Sequence, residues 1–273
     1  MSIRDNYNHT LRASYVGYIS QAIVNNFVPL LFLTFRSQFG ISLDRITLLV
    51  TLNFGIQLVV DLLAAGFVDR LGYRRALVAA HLLCAAGVNE TPIFPQLPFG
   101  PYPGLLLSVC LYAAGGGLIE VMISPVVEAC PTERKEAAMS LLHSFYCWGH
   151  VLVVIVSTLF FRLAGIENWR IMAFIWASVP FANAFYFGLV PIRSMTEEGQ
   201  GMTVRQLAGS GIFWVFVLLM MCSGASEQAM SQWASAFAES ALRVGKTVGD
   251  LLGPCMFALL MGTSRAVYAR FSH

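Results

Sequence analysis

The chain has 273 residues, of which 17 are lysine or arginine and 15 are aspartate or glutamate, so only 12% are charged. Soluble domains carry about 25%, and the high hydrophobic content of 57% further disfavours a soluble fold and excludes a disordered chain. The net charge of +2 provides no dense basic surface, so no nucleic-acid partner is predicted.

Long apolar windows recur along the chain and predict membrane spans. A helix needs about 20 largely apolar residues to cross a bilayer, and about eight windows meet that requirement. The predicted spans cover residues 13–35, 46–68, 76–94, 104–127, 138–161, 170–190, 211–236 and 251–271. The sequence therefore predicts an all-α, polytopic helical bundle embedded in a lipid bilayer.

Basic residues set the predicted orientation, because translocation disfavours lysine and arginine in short exported loops. If the N-terminus is inside, most of them fall on the cytoplasmic side, among them Arg70, Arg74, Arg75, Arg134 and Lys135. We therefore predict an integral protein of the cytoplasmic (inner) membrane with its N-terminus inside.

The connection after the second predicted span contains the most specific motif, GFVDRLGYRR at residues 66–75. Its first glycine can let helices approach closely, its second permits a tight turn, and its aspartate can pair with an arginine or face a helix N-terminus. A merely basic turn would explain the arginines but not the glycine and acid spacing. The segment resembles the signature between helices two and three of the major facilitator superfamily, where it would act as a cytoplasmic gating motif; the matching residues are Gly66, Asp69, Arg70, Gly72, Arg74 and Arg75.

Two further segments resemble the sugar-permease side of that superfamily, near fucose permease. They are Gly115 to Gly117 followed by Glu120 and Pro125, and the segment LHSFYCWG at residues 142–149. The resemblance implies a six-helix half at 1–190, a cytoplasmic linker at 191–210 and the first two helices of a second half at 211–273. A complete bundle would have about twelve helices, so we expect a truncated chain whose missing C-terminal helices, or another chain, complete the fold.

Ionisable residues inside the spans are candidates for proton coupling, because such groups are costly in hydrocarbon unless they serve a function. Glu120 lies far inside an apolar span and can bind and release a proton there; the resemblance also implies a protonation site in the fourth helix. The alternatives are a fixed ion pair with Arg265 or a hydrogen bond with His143. The proton-coupling candidates are Glu120, Glu227 and His143.

Polar residues with helical spacing are candidates for lining a substrate cavity. In the second span, Asn53, Gln57 and Asp61 lie on one helical face, and in the first span Gln21 and Asn25 form a similar pair. Pro29 can kink the first helix and leave a backbone carbonyl without its helical donor. The seventh span adds a polar stripe with a neighbouring indole, which suits a sugar ring but also an interfacial aromatic belt. The alternative for the amides is hydrogen bonding between helices without a substrate. The cavity candidates are Gln21, Asn25, Asn53, Gln57, Asp61, Gln228, Gln232, Trp233 and Arg265.

Arg265 decides how the last span is interpreted. Residues 251–262 are too few to cross a bilayer, so the helix should continue through this arginine. Its guanidinium then needs Glu227, Glu120 or an anionic solute as a partner. Alternatively, the helix ends early and Arg265 reaches the cytoplasmic interface.

The sequence as a whole predicts a secondary active transporter that moves a small polar solute, a sugar, together with protons by alternating access. The alternatives are an exporter of amphipathic compounds on the same fold and a non-transporting membrane scaffold. No enzyme motif such as G-x-S-x-G or H-E-x-x-H is present, and we predict no enzymatic activity, no cofactor and no metal site.

Overall fold

A computed structural model of the chain describes residues 3–132, 134–193 and 204–271. Within these ranges the side chains of Ala65, Asp69, Val204, Arg205, Ala269 and Phe271 are not described. This part of the chain contains helices and turns and no strand. The predicted all-α membrane bundle is therefore confirmed.

The α-helices follow one another in chain order. They are α1 (Tyr7–Asn26), α2 (Phe32–Phe39), α3 (Leu43–Leu71), α4 (Tyr73–Glu90), α5 (Pro101–Ala129), α6 (Lys135–Ala164), α7 (Trp169–Leu189), α8 (Val204–Ala208), α9 (Gly211–Ser240), α10 (Lys246–Asp250) and α11 (Met256–Phe271). Short 3-10 turns occupy Val28–Leu31, Phe94–Gln96 and Ile166–Asn168, and a π-helical turn occupies Leu251–Cys255.

Seven helical segments of the described chain are long and apolar enough to cross a membrane. They are Tyr7–Phe39, Leu43–Ala64, Pro101–Ala129, Lys135–Ala164, Ile166–Leu189, Gly211–Ser240 and Lys246–Tyr268. The window predicted at 76–94 forms α4, which is not among the seven, although it packs along α5 and α7. Its paired arginines and its C-terminal Asn89 and Glu90 make it less apolar.

Contacts between helix ends define two faces of the bundle. At the face where α1 begins, which we call the N-terminal face, Thr10 Oγ1 donates to the carbonyl of Pro191 at 2.5 Å just after α7. At the opposite face, Trp169 Nε1 at the start of α7 donates to Gln38 Oε1 in α2 at 2.9 Å. The helices α1 and α7 therefore run antiparallel, as successive odd and even crossings require.

Three consecutive glycines let α5 pack against three helices at once. A Cβ placed on Gly115 would lie 2.7 Å from the backbone nitrogen of Cys84 in α4, and one on Gly117 would lie 3.0 Å from Gln57 Cα in α3. A Cβ on Gly116 would lie 3.0 Å from the side-chain oxygen of Gln21 in α1. Successive residues of a helix point about 100° apart, so each glycine serves a different neighbour.

A buried polar contact ties α1, α4 and α7 together. The ring of His81 in α4 is fully buried, with Nδ1 2.8 Å from the carbonyl of Leu77 and Nε2 2.9 Å from Asn183 Nδ2 in α7. The same amide nitrogen donates to the carbonyl of Ala13 in α1 at 3.1 Å. These contacts join three helices of the first bundle, by which we mean α1 to α7.

The segment at residues 66–75 joins α3 to α4 at the N-terminal face. Gly72 has φ +85°, so the tight turn expected there is present, and glycine adopts this conformation without strain. The expectation of close packing at Gly66 is wrong, because a Cβ there would meet no described atom within 4 Å. Arg74 Nη1 donates to the carbonyl of Gly188 at 2.7 Å and thus caps the C-terminus of α7. Arg70 and Arg75 are exposed, and the side chain of Asp69 lies outside the described part.

The remaining helices, α9 to α11, form what we call the second group. Helix α11 packs along α6, whereas α9 meets the first bundle chiefly at the Val28–Leu31 turn. Most of α9 is exposed, including Trp214, Phe216 and Met220. The second group therefore packs against α6 and against the Val28–Leu31 turn, which interrupts the first span.

Candidate functional site

A polar cavity of about 240 Å³ lies where the first bundle meets the second group. Its walls come from α1, α3, α5, α6, α9 and α11, so no single helix forms it. The lining residues are Tyr18, Gln21, Asn25, Phe54, Glu120, His143, Tyr146, Glu227, Gln228 and Arg265. All three proton-coupling candidates and four of the nine cavity candidates thus converge on one space.

Glu120 reaches this cavity because α5 is locked in place by its glycines one turn earlier. Gln21 Nε2 donates to Glu120 Oε2 at 3.1 Å across the α1–α5 contact. The neighbours Gly117, Leu118 and Ile119 are buried, whereas Glu120 is exposed to the cavity. The space beside the glycines is filled by neighbouring helices, and the Glu120 side chain faces the cavity.

The amides of α1 and α3 form one directed hydrogen-bond network. Gln57 Nε2 donates to Asn25 Oδ1 and to Asn53 Oδ1, both at 3.0 Å, and Asn53 Nδ2 donates to Asn25 Oδ1 at 3.3 Å. Gln21 Nε2 also donates to Gln57 Oε1 at 3.2 Å. Asn53 and Gln57 therefore lie behind the cavity wall and orient Gln21 and Asn25, which face the cavity.

The last span continues as a helix through Arg265 to Phe271, so the interpretation with an early end is wrong. The guanidinium Nη2 lies 4.0 Å from Glu227 Oε2 in α9, and its Nη1 lies 3.8 Å from Cys147 Sγ in α6. Ser140 in α6 donates to the Arg265 carbonyl at 2.9 Å. The arginine thus pairs with Glu227, while Gln21 is the hydrogen-bond donor to Glu120.

The cavity wall also contains three aromatic side chains that were not among the candidates predicted from the sequence. Tyr18 packs edge-on against His143, with 5.3 Å between the ring centroids, and its hydroxyl lies 2.8 Å from Ser124 Oγ. Phe54 and Tyr146 complete the aromatic part of the wall. Phe54 directly follows Asn53, which belongs to the polar stripe of α3. This neighbourhood was the only sequence feature that pointed to Phe54 as a cavity residue.

Three of the predicted cavity residues lie elsewhere. Trp233 packs against Phe32, with 5.3 Å between ring centroids, and lines a separate apolar groove on α9 and α10. Gln232 is buried and donates through Nε2 to the carbonyl of Asn25 at 2.8 Å. Asp61 is half-buried, is not part of the cavity lining, and has an Oδ1 atom that finds no hydrogen-bond partner among the described residues.

A second polar cluster, missed by the sequence analysis, surrounds the fully buried Asp250. Its carboxylate accepts from Thr158 Oγ1 at 3.0 Å and from the Ser235 hydroxyl, and Lys246 Nζ lies 3.3 Å away. The spacing of Lys246 and Asp250, four residues apart, was the available signal, but the segment was interpreted as a connection between spans. No group of three or more histidine, cysteine, aspartate and glutamate side chains able to hold a metal occurs in the described part of the chain.

The sequence was also compared with known proteins. A search of curated proteins found no match. The family model for the Major Facilitator Superfamily matches residues 14–273, which is nearly the whole chain. This match, together with a bundle of membrane-spanning helices around a polar cavity, shows that the chain belongs to the Major Facilitator Superfamily and is a membrane transporter of that superfamily.

Proposed function

We propose that the protein moves a small polar solute, a sugar, across the cytoplasmic membrane together with protons, as a symporter that works by alternating access. The observation that carries this proposal is the cavity of about 240 Å³, whose wall combines carboxylates, amides, a guanidinium and aromatic rings. Drug-sized ligands occupy pockets of about 300–1,000 Å³, so this cavity suits a small solute rather than a large one.

The chemistry of the wall favours a ligand rich in hydroxyl groups. Glu120 and Glu227 accept hydrogen bonds, whereas Arg265 donates only. The Asn25 oxygen already accepts from Asn53 and Gln57, and its amide nitrogen, which also donates to the Tyr146 hydroxyl, has a second N–H for the solute. A hydroxyl both donates and accepts, and the apolar face of a sugar ring can stack on an aromatic side chain such as Phe54. The likeness of the fourth and fifth spans to sugar permeases supports the same assignment.

We assign proton coupling to Glu120, with Glu227 and His143 as further candidates in the same cavity. Arg265 offsets the charge of Glu227, but the structure gives Glu120 a neutral amide as its hydrogen-bond donor. A carboxylate among apolar helices is stabilised by a cation or by a proton. Proton binding at Glu120 would therefore accompany solute binding in the same space.

Binding tests this proposal most simply. The purified protein is titrated with a panel of monosaccharides, with polyols and amphipathic cations as comparison ligands, and thermal stabilisation is recorded. We expect a monosaccharide to stabilise the wild type and to lose this effect in Asn25→Ala, while Asn89→Ala, on the distant α4, retains it. Stabilisation by none of the sugars would contradict the proposed substrate class.

The arrangement in the membrane follows from the same proposal. We place the N-terminal face in the cytoplasm, residues 1–190 as one half, 191–210 as the linker between halves and 211–273 as part of the second half. The exposed apolar face of α9, which includes Met220 and Met221, supports further helices of the transporter, or another chain, packing there. Chemical cross-linking in native membranes would detect such a neighbour.

An exporter of amphipathic compounds is the second candidate. It is favoured by the apolar groove of about 540 Å³ that Trp233, Met230 and Phe237 help to line. An amphipathic cation that stabilises the wild type but not Trp233→Ala would support this candidate over the sugar symporter.

A further inference from the structure

The first span is broken, and the break exposes backbone carbonyls. Helix α1 ends at Asn26, and the Val28–Leu31 turn precedes α2. Pro29 has no N–H, so the carbonyl of Asn25, four residues earlier, lacks its helical donor. In an apolar environment such a carbonyl needs another partner.

Side chains of the second group provide the partners. Gln232 Nε2 from α9 donates to the carbonyl of Asn25, and Lys246 Nζ from α10 donates to the carbonyl of Leu30, both at 2.8 Å. Phe32, the first residue of α2, packs against Trp233, the neighbour of Gln232. The break in the first span is therefore a docking point for the second group.

The Lys246 ammonium also belongs to a partly buried charge cluster. It lies 3.3 Å from Asp250 and 3.6 Å from Glu239, and Asp250 is fully buried. Thr158 in α6 donates to Asp250 as well, so the cluster joins the first bundle to the second group a second time. Removing one partner of a buried charge pair is far more disruptive than removing an exposed charge.

These contacts lie toward the face opposite to the N-terminus. Lys246 follows the end of α9, and Leu30 lies well past the middle of the first span. The cavity-lining Tyr18 and Arg265 lie nearer the N-terminal face, where α1 begins and α11 ends. These contacts therefore lie between the cavity and the face opposite to the N-terminus.

We propose that Gln232 and Lys246 form a latch on the break of the first span, which closes the cavity on the face opposite to the N-terminus and must open once in each transport cycle. The proposal rests on the proposed transport function. Asn25 connects the two: its carbonyl is held by the latch while its side chain faces the cavity. Gln232 is thus a positioning residue, because it acts on the solute space through Asn25.

Accessibility of the cavity from each face tests the latch. In a background whose six cysteines are serine, Phe54→Cys places one thiol in the cavity wall, and a charged, membrane-impermeant thiol reagent is added to vesicles of known orientation. In this parent protein, in which Gln232 and Lys246 are unchanged, labelling should occur from the N-terminal face. Lys246→Met should raise the labelling rate from the opposite face by about tenfold, the factor that corresponds to 1.4 kcal/mol.

Arg243→Met is the matched control, because it removes an exposed cation three residues earlier and should leave the labelling pattern unchanged. Gln232→Leu provides a second latch variant that leaves the charge cluster intact, and it should also increase labelling from the opposite face. If both variants elute as folded protein and are labelled from the same face and at the same rate as their parent, the latch is refuted. Labelling needs neither solute nor pH gradient, so failure of the proposed symport would appear separately, as absence of uptake.

Discussion

Replacing Glu120 by glutamine removes a titratable group while keeping its shape and its hydrogen bond. The new amide can still accept from Gln21 Nε2, which donates to the carboxylate at 3.1 Å. The solute site should therefore survive. The variant, however, can no longer bind and release a proton at residue 120, where we place the coupled proton.

The size of the effect follows from the number of protons. One pH unit is worth about 1.4 kcal/mol per proton, which sustains about tenfold accumulation of a solute carried with one proton. In proteoliposomes with a one-unit gradient, the wild type should approach this ratio. Glu120→Gln should give a ratio of about one, because exchange of solute continues without coupling.

Glu128→Gln is the control, since Glu128 is an exposed carboxylate two turns later on the same helix. It should accumulate solute like the wild type. Accumulation by Glu120→Gln that equals the wild type under the same gradient would refute the assignment of the proton to this residue.

Three further predictions concern packing, the N-terminal face and recognition. Gly117→Ala should lower the free energy of unfolding by about 1–3 kcal/mol in detergent melts, because the new methyl group collides with the backbone of α3. Gly224→Ala is the control: a Cβ there meets no described atom within 4 Å, so the free energy of unfolding should stay the same or rise by up to about 1 kcal/mol. Arg74→Ala should cost about 0.3–1 kcal/mol through loss of the cap on α7, and equal melting of Arg74→Ala and Arg75→Ala would contradict that cap. Phe54→Ala should weaken solute binding while Phe54→Tyr keeps it, and equal affinities in calorimetry would exclude a stacking role.

The helical architecture was predictable from the sequence because lipid imposes length and polarity on each span. Continuation of the last helix through Arg265 followed from the same length argument, since a shorter helix could not cross. The turn at Gly72 followed from the backbone freedom of glycine, which the observed φ of +85° requires. The length of a span and the conformation of a turn can be predicted because each depends on a single segment of the sequence.

The directions in which side chains point were only partly predictable, because helical spacing groups residues on a face without saying which neighbour that face meets. Trp233 was assigned to the cavity but packs against Phe32, since the break at Pro29 brings α2 to that side of α9. Gly66 has open space where close packing was expected. The cluster around Asp250 was missed because its partners come from α6, from α9 and from the segment that follows α9.

Coupling of solute movement to proton movement in the polar cavity can be measured with a pH-sensitive dye trapped in proteoliposomes. No pH gradient is imposed, and the monosaccharide that stabilises the protein is added outside. We expect the interior to acidify as the sugar enters, and we expect no acidification with Glu120→Gln, although sugar still equilibrates. Sugar entry into wild-type vesicles without any change of internal pH would contradict this coupling.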